Sequence, residues 1–117
     1  MIEQKMLIGG QECAASNGAT FERKNPLDGS VATRAPAASI EDAIRACDAA
    51  AAAFPAWSQL GPNARRAMLM KASQALEAKG EAIAAAMAAE TGASGIWAGF
   101  NVHLAANLFR EAASMVT

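Results

Sequence analysis

Alanine makes up more than a quarter of the 117 residues, and most of it follows residue 38. Because alanine combines the strongest helix propensity with a side chain of one methyl group, this composition favours helices with small contact surfaces. From Ser39 onward the apolar residues recur at spacings of three and four, the period of an amphipathic helix. Residues 39–117 are therefore predicted to be helical.

Four helices are expected in this region. Ser39 is a suitable N-cap with Asp42 three residues later, and an apolar stripe through Ile40, Ile44, Cys47 and Phe54 is expected to end at Pro55. A second helix is expected to open at Gly61-Pro62 and stop at Lys79-Gly80, and a third to cover 81–91. The fourth is expected to begin near Ser94 and to continue at Thr117.

Residues 1–38 have short β-type segments separated by turn residues. Met6–Ile8 and Gln11–Cys13 flank Gly9-Gly10, a pair suited to a tight hairpin turn. Strands are also expected at 20–24 and 31–35, with Pro26 and Asp28-Gly29 in the turn between them. Two short strand pairs need further neighbours for stability, so the chain is expected to be incomplete as a domain.

The charge distribution excludes several partners. Net charge is −1, the pI is near 5.8, and no run of Lys or Arg exceeds two residues, so no basic surface for nucleic acid or an anionic membrane is expected. The apolar stretch at 6–9 is too short for a secretory signal, and the alanine runs at 49–53 and 82–89 are too short to span a bilayer. A cytoplasmic protein is expected, with Cys13 and Cys47 as reduced thiols.

An ordered set of short motifs resembles the start of the NAD(P)-dependent aldehyde dehydrogenases. The motifs are Ile8-Gly9-Gly10, Asn25-Pro26-Leu27-Asp28-Gly29, Ala53-Phe54-Pro55-Ala56-Trp57, Arg66-Ala67-Met68-Leu69 and Glu90-Thr91-Gly92. Where many members have Gly-Lys, this chain has Gly92-Ala93-Ser94. With the segment 97–103 after it, this variant resembles the salicylaldehyde dehydrogenase branch, which oxidises aromatic aldehydes.

The resemblance implies an α/β fold of which this chain is the N-terminal part of the cofactor-binding domain, covering the first quarter of a typical member. It also implies a homo-oligomeric enzyme in which a cysteine thiolate attacks the aldehyde, hydride passes to NAD, and a glutamate activates water. In the family, that cysteine, that glutamate and the cofactor's phosphate-binding turn lie beyond position 117. No catalytic or cofactor-binding residue is therefore expected here.

One segment imitates the catalytic motif. Gly10-Gln11-Glu12-Cys13 has the Gly-Gln-x-Cys form of the family's nucleophile, but it follows the first short strand, and Glu12 does not favour a thiolate. Cys13 is expected to be a hairpin residue.

The candidate site lies on the fourth helix. Trp97, Phe100, Leu104 and Leu108 share one face at spacings of three, four and four, which is also the pattern of an ordinary core stripe. The resemblance implies that this helix lines the aldehyde tunnel, with Phe100 and Leu104 at lining positions and Trp97 one turn earlier. Asn101 is expected to reach either that pocket or the helix backbone. His103 has no evident orienting partner and is expected to be structural.

Two functions from different classes remain open at this stage. The first is a fragment of an NAD-dependent enzyme of aromatic-compound catabolism that oxidises a salicylaldehyde-like substrate to the acid and is inactive alone. The second is a small alanine-rich helical module that binds other proteins; it leaves the N-terminal strands unexplained. A nucleic-acid-binding role lacks the basic surface that it requires.

Overall fold

The computed structural model describes residues 1–116, which fall into two compact units divided after Gln59. The first unit contains five short strands and one helix: β1 Ile2–Glu3, β2 Met6–Ile8, β3 Gln11–Cys13, β4 Thr20–Lys24, β5 Val31–Pro36 and α1 Ile40–Ser58. The second unit contains three helices: α2 Pro62–Ala78, α3 Gly80–Thr91 and α4 Gly95–Ser114. The change from strands to helices near residue 39 confirms the sequence-based expectation.

Strands β2 and β3 form the expected hairpin. They pair antiparallel, with Met6 opposite Cys13 and Ile8 opposite Gln11. Gly9 and Gly10 occupy the turn with φ angles of 59° and 78°, a region that residues with a β-carbon rarely adopt. Cys13 is a free thiol on the outer hairpin strand, as expected, and Cys47 is also free.

The second sheet contains three strands in the order β1-β5-β4. The antiparallel pairing of β4 with β5 matches the predicted strand pair, whereas β1 was not predicted and lies parallel to β5. Arg34 on β5 joins all three strands, because its guanidinium contacts Glu3 at 3.1 Å and Glu22 at 2.8 Å. A strand of two residues is too short to show an alternating pattern, so β1 has no local sequence signal.

Helix α1 begins with the expected capping box. The Ser39 hydroxyl accepts from the Asp42 N–H, and the Asp42 carboxylate accepts from the Ser39 N–H at 3.0 Å. The prediction that Pro55 ends this helix is wrong, since α1 continues to Ser58. Proline occupies the last turn, and its carbonyl still accepts from the Ser58 hydroxyl and the Gln59 N–H, so the helix closes one turn beyond it.

The apolar stripe of α1 lies on the surface of its unit. Ile40, Ile44 and Phe54 are more than half exposed, whereas the buried residue of the helix is Asp42. The helical period of the stripe is correct, but in residues 1–59 it does not form the core. That core is small and includes Ala15 and Ala32.

Helix α4 is the central element of the second unit and packs against both α2 and α3. Its buried face consists of small residues: Ala98, Val102, Ala106 and Ala113. On α2 the buried residue is Ser73, whose hydroxyl donates to the Ala106 carbonyl at 2.8 Å. Small side chains let the helix backbones approach closely, which explains the alanine content of this region.

Helix α4 ends earlier than expected. Its last residue is Ser114, and the guanidinium of Arg66 donates to the carbonyls of Ala113 and Val116 at 3.1 and 3.3 Å. These bonds satisfy carbonyls that the final turn leaves without a helical partner. The sequence pattern predicts a helix that continues at Thr117, but residues 115 and 116 lie beyond the end of α4. Thr117 itself lies outside the described residues.

Within residues 1–116, no helix has the length and apolar character needed to cross a bilayer.

Candidate functional site

The start of α4 is fixed by a short turn after α3. Gly92 closes α3 in the left-handed region with φ 70°, and Ser94 then caps α4 by accepting from the Trp97 N–H at 3.3 Å. Only residues 92–94 separate the two helices. The turn and the Ser94 cap set the first residue of α4. They therefore also set the position of Trp97, whose N–H donates to the cap.

Trp97 and Phe100 form a stacked pair on the exposed side of α4. Their ring centroids are 5.4 Å apart and their planes are inclined by 26°. Trp97 is 55% exposed and Phe100 is 49% exposed. Two large rings held against each other, with half of their surface open, provide a flat apolar wall on which another ring can stack.

A cleft of about 450 Å³ lies beside these rings, lined by Ser94, Ile96, Trp97 and Phe100. The sequence pattern assigns neither Ser94 nor Ile96 to a site. The available signal was their position, since Ile96 is next to Trp97 and Ser94 lies at the helix start. The Ser94 hydroxyl is engaged in capping. The cleft therefore suits an apolar, planar group and offers little polar recognition.

Leu104 and Leu108 continue the same face of α4 beyond the stacked pair. Leu104 is 42% exposed and Leu108 is 59% exposed, so the predicted stripe lies outside the helix-packing core of residues 60–116. The core of α4 is formed by its alanine-rich face instead. The geometry thus places Trp97, Phe100 and Leu104 along one accessible surface.

Asn101 takes the second of its two expected positions. Its side-chain N–H donates to the Trp97 carbonyl one turn earlier, at 2.8 Å. Half of the amide is thus engaged with the helix backbone, directly below the stacked rings. Asn101 is not among the residues that line the cleft.

His103 lies on another side of α4, in a polar network. Its Nε2 is 2.9 Å from Nδ2 of Asn107, and the Asn107 carbonyl oxygen accepts from Arg110 at 2.8 Å. Arg110 also donates to Glu77 on α2 at 2.5 Å. The hydrogen bond from Arg110 lowers the pKa of the Glu77 carboxyl, and the same bond raises the pKa of Arg110. The network gives His103 a structural partner that the sequence did not reveal.

A second cavity of about 360 Å³ adjoins this network, between α2, α3 and α4. It is lined by Glu77, Gly80, Glu81, Ala84, Gly99, Val102 and His103. Small residues on α3 and α4 create the space, and the ionisable groups stand at its border. Among residues 1–116, no group of three or more His, Cys, Asp or Glu side chains is arranged to hold a metal ion.

Comparison with known proteins places this geometry in a family. The model of the aldehyde dehydrogenase family matches residues 13–117. This chain belongs to the aldehyde dehydrogenase family. It spans about a quarter of the length of the curated relatives that it matches.

Three relatives illustrate the similarity. Vanillin dehydrogenase of Pseudomonas fluorescens is 55% identical over all of this chain and 24% of its own length. The crystal structure of a salicylaldehyde dehydrogenase from Pseudomonas putida G7 complexed with salicylaldehyde is 43% identical, with a TM-score of 0.95 over 98% of this chain and 24% of that one. An NAD-dependent benzaldehyde dehydrogenase from Corynebacterium glutamicum is 32% identical, with a TM-score of 0.89 over 95% of this chain and 24% of that one.

The comparisons confirm the family and the fold predicted from the short motifs. The resemblance to salicylaldehyde dehydrogenase is also confirmed, and vanillin dehydrogenase is a relative of higher identity. The aldehyde dehydrogenase segment here consists of short strands followed by four helices.

Proposed function

We propose that this chain supplies one wall of the substrate tunnel in an NAD-dependent aldehyde dehydrogenase that oxidises aromatic aldehydes to carboxylic acids. The observation that carries the proposal is the exposed, stacked pair Trp97–Phe100 beside an apolar cleft. Phe100 and Leu104 are the proposed lining residues, with Trp97 at the near end of the wall. The names of the relatives support this substrate class, because vanillin, salicylaldehyde and benzaldehyde all carry the aldehyde on a ring.

The contribution of the wall is orientation. A ring that stacks on Trp97 or Phe100 gains about 0.5–1.5 kcal/mol beyond the burial of its area. An aliphatic aldehyde of similar size gains only the burial. The wall therefore favours aromatic substrates by about 2- to 12-fold for each stacking ring, which is a preference and not an absolute selection.

Asn101 has a supporting role in this proposal. Because its N–H donates to the Trp97 carbonyl, it stabilises the first turns of the helix that carries the stacked rings. Its carbonyl oxygen is the part of the amide left to accept from a hydroxyl group on a substrate. Replacing Asn101 with alanine tests both roles together, and replacing it with aspartate retains the acceptor alone.

Two of the helix N-termini within residues 1–116 are capped by their own side chains. The N-terminus of α1 is already filled by the Asp42 carboxylate, which would repel a phosphate, and the N-terminus of α4 is capped by Ser94. We assign NAD binding, the nucleophilic cysteine and the general-base glutamate to the remainder of the full-length enzyme. Assembly into a homo-oligomer, a cytoplasmic location and a role in aromatic-compound catabolism are parts of the same proposal.

The experiment compares steady-state kcat/KM of the full-length enzyme for benzaldehyde, salicylaldehyde and vanillin with that for a straight-chain aldehyde. Phe100→Ala and Leu104→Ala should lower the ratio of aromatic to aliphatic kcat/KM. Phe109→Ala is the matched control, because Phe109 lies on the same helix but lines a separate cavity with Leu69 and Ala112. Equal losses for all substrates in the Phe100 and Leu104 variants would contradict the proposed tunnel wall.

The 117-residue chain alone should show no NAD-dependent turnover of salicylaldehyde. Turnover by the purified chain would refute the assignment of the chemistry to the remainder of the enzyme. The alternative of an alanine-rich interaction module is not proposed, because the family match covers strands β4 and β5 as well as the helices.

A further inference from the structure

The hydrogen-bond directions around His103 can be assigned from its neighbours. Arg110 is only a donor, so the Asn107 atom that it contacts at 2.8 Å must be the carbonyl oxygen. This orients the Asn107 amide, whose NH₂ group then faces His103 Nε2 at 2.9 Å. If the Asn107 amide were flipped, its NH₂ group would face the Arg110 guanidinium, and both groups are donors.

The consequence falls on the histidine ring. Because the Asn107 NH₂ donates, Nε2 of His103 must be the unprotonated acceptor, and the ring proton must be on Nδ1. A charged imidazolium carries a proton on both nitrogens. It would set the Nε2–H against the Asn107 NH₂ group, and this contact cannot survive as a hydrogen bond.

The surroundings provide other acceptors for a charged ring. Glu77 on α2 and Glu81 on α3 line the same cavity as His103, while the nearby positive charge is Arg110 on α4. The hydrogen bond and the charge of Arg110 lower the pKa of Glu77, and the charge of His103 lowers it further.

We propose that His103 is a proton-operated contact between α4 and the α2–α3 side of the bundle. When neutral, the ring accepts from Asn107 as the Nδ1–H tautomer. When protonated, it releases Asn107 and pairs with the carboxylates of Glu77 and Glu81 across the cavity.

His103 is the only histidine of the chain, so its ring nitrogens can be observed without assignment. We suggest ¹⁵N NMR of the ¹⁵N-histidine-labelled 117-residue chain between pH 5 and 8. The expected result is the Nδ1–H tautomer at high pH, with loss of the Asn107 side-chain contact on protonation. The Nε2–H tautomer, or a ring that behaves as in an unstructured peptide, would overturn the proposal.

Asn107→Asp is the decisive variant, because the aspartate replaces a donor toward His103 with an acceptor. It should reverse the tautomer to Nε2–H, because the ring must then donate to the carboxylate. Asn101→Asp introduces the same charge on the same helix, but position 101 contacts the Trp97 backbone instead of His103. The control should leave the tautomer unchanged, and a reversal in both variants would contradict the assigned role of Asn107. None of these outcomes depends on the substrate proposed above.

Discussion

The hydroxyl of Ser73 on α2 donates a hydrogen bond of 2.8 Å to the carbonyl of Ala106 on α4, and both residues are fully buried. This is a polar bond between two helices whose other buried contacts come from small apolar side chains. It links α2 to α4 at one defined position along both helices. The bond has an ordinary length and is enclosed, so water does not compete for it.

Replacing Ser73 with alanine should lower the free energy of unfolding by about 0.5–1.5 kcal/mol, the usual net value of a buried hydrogen bond. Ser73→Leu should cost more, because the added volume meets Ala106 and its neighbours at a closely packed interface. Urea unfolding followed by circular dichroism measures both changes. Ser114→Ala is the matched control, since that exposed serine bonds only within its own helix. Equal effects at positions 73 and 114 would show that the buried bond contributes nothing specific.

Asp42 should make residues 1–59 sensitive to acid. Hydrogen bonds from the backbone N–H groups of Ser39 and Ser16, together with Arg45, lower the pKa of Asp42 from 3.8 to about 2. Its stabilising contribution is therefore complete above about pH 4 and is lost as the pH falls toward 2. Amide exchange of α1 from pH 5 down to 2 would reveal this loss.

The variant Asp42→Asn should flatten that pH dependence and speed exchange in the first turn of α1 at pH 5. Asp48→Asn removes the same charge from an exposed position on the same helix and should leave the profile unchanged. A profile that is identical in the native chain and in Asp42→Asn would exclude Asp42 as the responsible group.

Arg66 should hold the C-terminus of α4. Loss of its bonds to the carbonyls of Ala113 and Val116 in Arg66→Ala leaves those acceptors to water, so amide exchange should accelerate in the last turn of α4 and not in its first. Lys71→Ala removes another exposed cation from α2 and serves as the control. Uniform acceleration along α4 would indicate general destabilisation instead of a cap.

Trp97→Ala in the full-length enzyme should raise KM for aromatic aldehydes by about 2- to 12-fold with a smaller effect on kcat, because the lost interaction is stacking. Trp97→Phe retains a ring and should restore most of the affinity. Steady-state kinetics with benzaldehyde and a straight-chain aldehyde separate this result from a loss of stability. A matching rise in KM for the aliphatic substrate would assign the effect to folding.

The local parts of this fold could be predicted from the sequence. The Gly9-Gly10 hairpin, the Ser39–Asp42 capping box and the helix start at Ser94 each depend on residues within a few positions of one another. Pro55 does not mark the end of α1, because a proline in the last helical turn interrupts the sequence pattern without ending the helix. The end of α4 depends on Arg66, which is far away in the sequence, so the periodicity alone extended the helix too far.

The candidate site shows the same division. Helical spacing was sufficient to place Trp97, Phe100 and Leu104 on one face, but not to show that this face is exposed. That outcome depends on α2 and α3 packing against the alanines on the opposite side. The partners of Asp42 likewise include Ser16, whose proximity appears only after folding, whereas the partner of His103 is Asn107, one turn away on the same helix.

Helix α4 therefore has one side constrained by packing and one side free of it. Any residue larger than alanine at positions 98 or 106 would push the bundle apart, whereas Trp97, Phe100 and Leu104 are about half exposed. Changes in the size or polarity of those side chains can alter which molecule is bound without destabilising the helix bundle. In an engineered enzyme, positions 97, 100 and 104 are accordingly the ones to randomise together.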